Sequence, residues 1–268
     1  MELEQIIKND VDKIKEKLKL YIDIIIKEYG SYLDNNLISK LNNNTDIVAL
    51  NDENTVSFVC RNGILYLPKI AYSIFPELRK HERYAFNPSN RVLEENYLDT
   101  NTTYFDYINH VIEAGLNEYE YFEESLLHEA MHLCGSGGGN AFKEGINELK
   151  TRELVQKYHI KIAAIGYSKE VELAKKFQMI VGKTILDELA FKNYSLEKAY
   201  DFLMNRCGVK IADLYKKILY LIEEESNIIL RSATTTSDPF EKARLYSMID
   251  YKETNKLIDE YIKIEEDK

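Results

Sequence analysis

The residues best suited to chemistry lie in Leu127-His128-Glu129-Ala130-Met131-His132, an H-E-x-x-H pattern. On a helix, residues four apart share a face. His128 and His132 would then present two imidazoles to one point, and two nitrogens so placed can bind a zinc ion. Glu129 falls about 100° round the helix from His128. Its carboxylate would stand beside the metal and take a proton from a water that the metal activates. A second acidic group, Glu144-Gly145-Ile146-Asn147-Glu148, follows a glycine-rich break. Two His and one Glu at the first spacing are the parts of a hydrolytic zinc site.

These residues need a helix to position them, and the sequence supplies one over about 118–134. Asn117-Glu118-Tyr119-Glu120 reads as a capped start, with a carboxylate three residues after the cap. Leu116, Phe122, Leu126, Leu127, Ala130 and Leu133 cover more than one narrow stripe, which predicts a largely buried helix. Gly135 ends it. A buried His pair needs partners, and a metal would supply them. Gly135-Ser136-Gly137-Gly138-Gly139-Asn140 is the stretch with most backbone freedom, and Asn140 is placed to cap a following helix over 141–158.

The chain has 268 residues, of which 45% are hydrophobic, enough for one large domain or two lobes around a cleft. A net charge of −10 with lysines scattered among the acids argues against a nucleic-acid partner. No run reaches transmembrane length, so no membrane partner is expected. No apolar signal core opens the chain, which makes the cytoplasm the expected location, with non-classical export left open. Three widely spaced cysteines, Cys60, Cys134 and Cys207, are expected to be reduced thiols.

Residues 2–29 carry apolar positions at helical spacing, and 31–41 predicts a shorter helix followed by a turn at Asn42-Asn43-Asn44-Thr45. Ile47 to Leu50 is a short apolar run. Thr55–Cys60 and Ile64–Leu67 flank Arg61-Asn62-Gly63, a hairpin signal closed by Pro68. A free strand edge there could pair with an extended peptide. Helical spacing returns at 69–80 and 104–114, around a polar, irregular 81–103. Beyond the site, helices are expected over 168–182, 184–192, 195–206, 209–230 and 239–264, the last opening at Asp238-Pro239-Phe240-Glu241. The expected fold class is α+β and predominantly helical. A mixed α/β part, 1–135, ends in the motif helix, and a helical part, 136–268, completes one integrated catalytic domain.

With its H-E-x-x-H and following acids, the stretch 120–153 resembles the zincin metallopeptidases. The metzincin extension fails, because Gly135 matches its glycine but Gly138 stands where the third His is needed. Lys143-Glu144-Gly145-Ile146-Asn147-Glu148 is similar to the gluzincin pattern, in which a Glu on a following helix is the third ligand. That resemblance implies zinc held by His128, His132 and Glu144, with Glu148 orienting a ligand His and Glu129 as general base. Eleven residues separate His132 from Glu144, fewer than is common in gluzincins, and exchange of the Glu144 and Glu148 roles stays open. The run from Glu144 to Glu153, with Thr151 and Arg152, also resembles uncharacterised zincin-like proteins of low-GC bacteria. The implied function is a Zn2+-dependent peptidase acting on a peptide or protein. The alternative is a zincin-like, non-catalytic metal-binding or regulatory protein. Cys134 reads as a small buried residue, and His110 and His159 as ordinary positions. Tyr158, Tyr167 and Asn140 are among the candidates for an oxyanion donor.

Overall fold

Ile14, Leu18, Tyr21, Ile22, Ile25 and Tyr29 follow the 3.6-residue helical period, and all six are buried along one face of helix α1, Leu3–Tyr29. The computed structural model describes residues 3–43, 48–51, 59–61, 63–68, 118–136, 140–160, 167–235 and 248–266. The expected helix at 31–41 begins later, as α2, Asn35–Asn43, and it takes in Asn42 and Asn43 of the expected turn, whose other two residues lie outside the described residues. Asp34 sets that start, because its Oδ1 accepts the backbone N–H of Asn36 at 2.7 Å.

Strands β1 (Val48–Asn51), β2 (Val59–Arg61) and β3 (Ile64–Pro68) form a sheet in the order β1-β3-β2. β2 and β3 pair as the expected hairpin, antiparallel with Arg61 opposite Ile64, and residues 55–58 of the expected first strand lie outside the described residues. Gly63 takes φ 74° in the turn, a conformation glycine adopts without steric cost. β1 runs parallel to β3 on its other side. β2 and β3 pack against the motif helix α3, Glu118–Leu133.

α3 has Leu126, Leu127, Ala130, Met131 and Leu133 buried, between α1, the sheet and the next helix. Gly135 stops it at φ 95°, with Gly135 N–H donating to His132 O and Ser136 N–H to Met131 O, each at 3.0 Å. This is the paired-bond ending that a left-handed glycine permits. Asn140 then caps α4, Ala141–Tyr158, its Oδ1 accepting the Lys143 N–H at 2.9 Å.

α4 is the central helix, packed by α3, by α5 (Ser168–Val181), by α6 (Lys183–Phe191) and by α8 (Val209–Thr235). It therefore shows no polar stripe, and Asn147, Glu148, Lys150 and Thr151 are fully buried beside Phe142, Ile146 and Leu149. Gly145 marks where α5 crosses it. A Cβ there would lie 2.4 Å from the Glu170 carbonyl oxygen, so only glycine allows this approach.

Helices α7 (Leu196–Cys207) and α8 fall where sequence periodicity puts them. The expected helix 239–264 is corrected: Met248–Tyr251 is not helical, and the last helix, α9, spans Lys252–Glu266. Tyr251 takes φ 47°, and Glu225 of α8 accepts the backbone N–H groups of Glu253 and Thr254. A cap supplied by another helix thus restarts the chain there. The Asp238-Pro239 start, the segments 69–80, 81–103 and 104–114, His110 and residues 137–139 lie outside the described residues.

The protein is predominantly helical, and one hydrophobic core runs from α1 to α9, joining residues before and after 135. Among the described residues no helix is long and apolar enough to cross a membrane. Cys60, Cys134 and Cys207 are free thiols, and Cys134 is a buried residue in the core.

Candidate functional site

The i, i+4 spacing on α3 aims both imidazoles at α4. Their ring centroids are 5.0 Å apart. His128 Nδ1 lies 2.9 Å from Glu148 Oε2, and His132 Nδ1 lies 3.0 Å from the Ser136 carbonyl. Both acceptors lack protons, so each ring must donate from Nδ1. Each ring then turns Nε2 inward. The two Nε2 atoms meet one oxygen, Glu144 Oε2, at 3.3 Å from His128 and 3.1 Å from His132.

Glu144 and Glu148 are one turn apart on α4, and they face opposite sides of His128. Glu144 stands at the inward nitrogens and Glu148 behind the ring. Glu148 is fully buried, and its second oxygen accepts from Arg152 Nε at 3.1 Å. Asn147, also fully buried, donates from Nδ2 to the His128 carbonyl at 3.1 Å and lies 3.1 Å from His132 Nε2. Its Oδ1 finds no partner among the described residues.

Glu129 sits on the α3 face towards β2. Burial pushes its carboxyl above the usual range, and the nearby Glu144 adds to this. The two imidazoles and the Cys60 backbone N–H pull the other way without cancelling it. A carboxyl raised in this manner can exchange a proton closer to neutral pH than an ordinary glutamate. Burial would also raise Glu144, but hydrogen bonds from both rings outweigh it and hold that carboxyl at about 2. Burial disfavours the charged His128 ring, yet Glu144, Glu148 and Glu129 together lift it to about 10. His132 is raised by Glu144 in the same way, against burial.

Protons on the two Nε2 atoms then stand between the raised imidazoles and Glu144. Among the described residues, three carboxylates, Glu129, Glu144 and Glu148, and one guanidinium, Arg152, gather about these rings. Counted over those residues, the group would carry two negative charges in excess with both rings neutral, which suits a divalent cation. Donor separations also fit. Ligands bound at about 2.0–2.1 Å in a tetrahedron stand about 3.3–3.4 Å apart, close to the two Glu144 distances. Glu129 is a rival third donor, since its carboxylate and both imidazoles have ligand-capable atoms within 4.8 Å of one another. Glu144 is the better candidate, being within 3.3 Å of both Nε2 atoms. An orphaned amide oxygen at Asn147 adds a further polar atom in want of a partner.

Of the other sequence candidates, Tyr167 reaches the group and Tyr158 does not. Tyr167 stacks on His128, with centroids 5.3 Å apart and planes 17° apart, from a backbone at φ 51°. Tyr158 donates its hydroxyl to Glu28. Asn140 is engaged in capping α4, and His159 is an exposed residue at that helix's end. Sequence reasoning missed the Ser136 carbonyl, Asn147 and Arg152. Only Arg152 left a signal, its i, i+4 spacing from Glu148. Comparison of the chain with protein-family models, with curated proteins and with solved structures gave no match.

Proposed function

We propose that this protein is a zinc-dependent hydrolase of gluzincin type, most simply a peptidase. His128, His132 and Glu144 would hold the ion, Glu148 would orient His128, and Glu129 would be the general base. The observation that carries the reading is the convergence of two Nε2 atoms, each backed by an acceptor at Nδ1, on one carboxylate oxygen.

Zinc, when bound there, supplies Lewis acidity: it polarises a carbonyl and makes water more acidic. Glu129 accepts the proton of the attacking water and returns it to the leaving amine, a role its raised carboxyl suits. The substrate would be a peptide or protein, lying against the face of α3 that carries Glu129.

Metal content of protein purified without added zinc tests the reading. One zinc per chain is expected, and none in His132→Ala; zinc that survives that change contradicts the ligand assignment. Cleavage of a peptide library by the wild type, with a loss of about 10²–10⁴-fold in Glu129→Gln at unchanged zinc content, supports the mechanism. Equal turnover by the variant refutes it. Zinc binding with no cleavage of any library would favour the non-catalytic, zincin-like alternative.

A further inference from the structure

Glu148 is a buried carboxylate with two oxygens and two duties. Oε2 accepts from His128 Nδ1, and Oε1 accepts from Arg152 Nε. Its side chain has no exposure at all, whereas that of Arg152 is 24% exposed. A buried carboxylate oxygen needs a directed donor, and Arg152 supplies one to Oε1. One turn beyond Glu148 on α4, it faces the side of the carboxylate turned away from the imidazole.

Arg152 also reaches out of α4. Its Nη2 lies 3.4 Å from Ser168 Oγ, in the first turn of α5. The preceding residue, Tyr167, holds a left-handed backbone and stacks its ring on His128. An aromatic residue in that conformation costs energy and persists only where surrounding contacts enforce it. His128 is therefore held at its Nδ1 edge by Glu148 and on its face by Tyr167, and Arg152 touches both supports' segments.

From this geometry we infer that Arg152 is a positioning residue for the proposed metal site: it holds the Glu148 carboxylate in the orientation that accepts from His128 Nδ1, and so aims His128 Nε2 at Glu144. The inference rests on the zinc reading for its consequence, but its first effect, on the His128 ring, exists without metal. Lysine at 152 keeps the charge and loses the directed guanidinium donor. Glutamine keeps a donor and loses the charge. The expected order of zinc affinity is wild type, then Arg152→Lys, then Arg152→Gln.

The test uses the full chain and zinc alone. Zinc affinity is measured by competition with a chromophoric chelator, and the hydrogen-bonded Nδ1 proton of His128 by proton–nitrogen NMR of the metal-free protein. Arg152→Gln should bind zinc about 10–100-fold more weakly and lose that protected proton signal through exchange with water. Arg152→Lys should recover part of both, which a role in folding alone would not produce. Should the Gln variant fail to fold, Arg152→Lys carries the test, with an intermediate affinity and a weakened proton signal expected. Zinc affinity within about twofold of wild type and an unchanged Nδ1 proton in a folded variant would overturn the inference. A wild type that binds no zinc would instead overturn the function proposed above, and the Nδ1 proton would still decide the role of Arg152.

Discussion

Helix α4 carries two buried charged groups within two turns of each other, and they are built differently. Towards its N-terminus, Glu144 and Glu148 meet the two imidazoles of α3. Further along, Lys150 is fully buried, with Nζ at 2.7 Å from Asp187, 2.8 Å from Gln178 and 3.1 Å from Glu153. Lys183 completes that second group by pairing with Glu153 and Asp187. Two ammonium groups there face two carboxylates, and the charges cancel. In the first group three carboxylates face one guanidinium among the described residues, and the charges balance only while both imidazoles carry an extra proton. A buried network that balances itself joins helices. One that balances only by holding protons can release them and take a cation instead.

The contrast is open to direct attack. The largest expected effect is in the first group: Glu144→Gln should abolish zinc binding, read as metal per chain, while Glu148→Gln should weaken it by about 10–100-fold. Similar losses in both variants would erase the difference in their roles. In the balanced group, Lys150→Met leaves Glu153 and Asp187 facing Lys183 alone. It should lower stability by about 3–5 kcal/mol in urea unfolding and leave zinc stoichiometry unchanged in the folded protein. Loss of zinc from folded Lys150→Met would show that the two groups are one.

Chelation should affect only the first group. At free zinc about 100 times its Kd, the ion adds about 2.7 kcal/mol to stability. A chelator should thus lower the wild-type Tm but leave that of Glu144→Gln where it is. Gly145→Ala drives a methyl into the Glu170 carbonyl and should cost about 1–3 kcal/mol as overpacking, by pushing α5 off α4.

The smallest effect is a pH dependence in the second group. Burial pushes Glu153 up, but Lys150 and Lys183 outweigh it and hold the carboxyl below the ordinary range. A group depressed on folding contributes stability above its unfolded pKa and loses it as pH falls through the folded value. Glu153→Gln should flatten the loss of urea resistance as the pH falls through and below the ordinary carboxylate range. An unchanged slope would remove Glu153 from the balance.

Much of this architecture is local, and local rules found it. The spacing of Ile14 to Tyr29, the Asn140 cap, the Gly135 stop and the turn at Gly63 depend on neighbours a few residues away. The break at Met248–Tyr251 was missed because its cap comes from Glu225, on another helix. The same division runs through the site. H-E-x-x-H places two imidazoles on one face of any helix, and a following helix with acids one turn apart can meet them; that much the sequence by itself determined. Which acid meets Nε2 and which stands behind Nδ1 depends on how α4 is rotated and crossed. Tertiary packing decides that, through Gly145 beneath Glu170, the Lys150 group against Asp187, and the Ser136 carbonyl turned back onto His132. A helix can be read from the period of its own residues, but its rotation about its axis is set by whatever packs against every side.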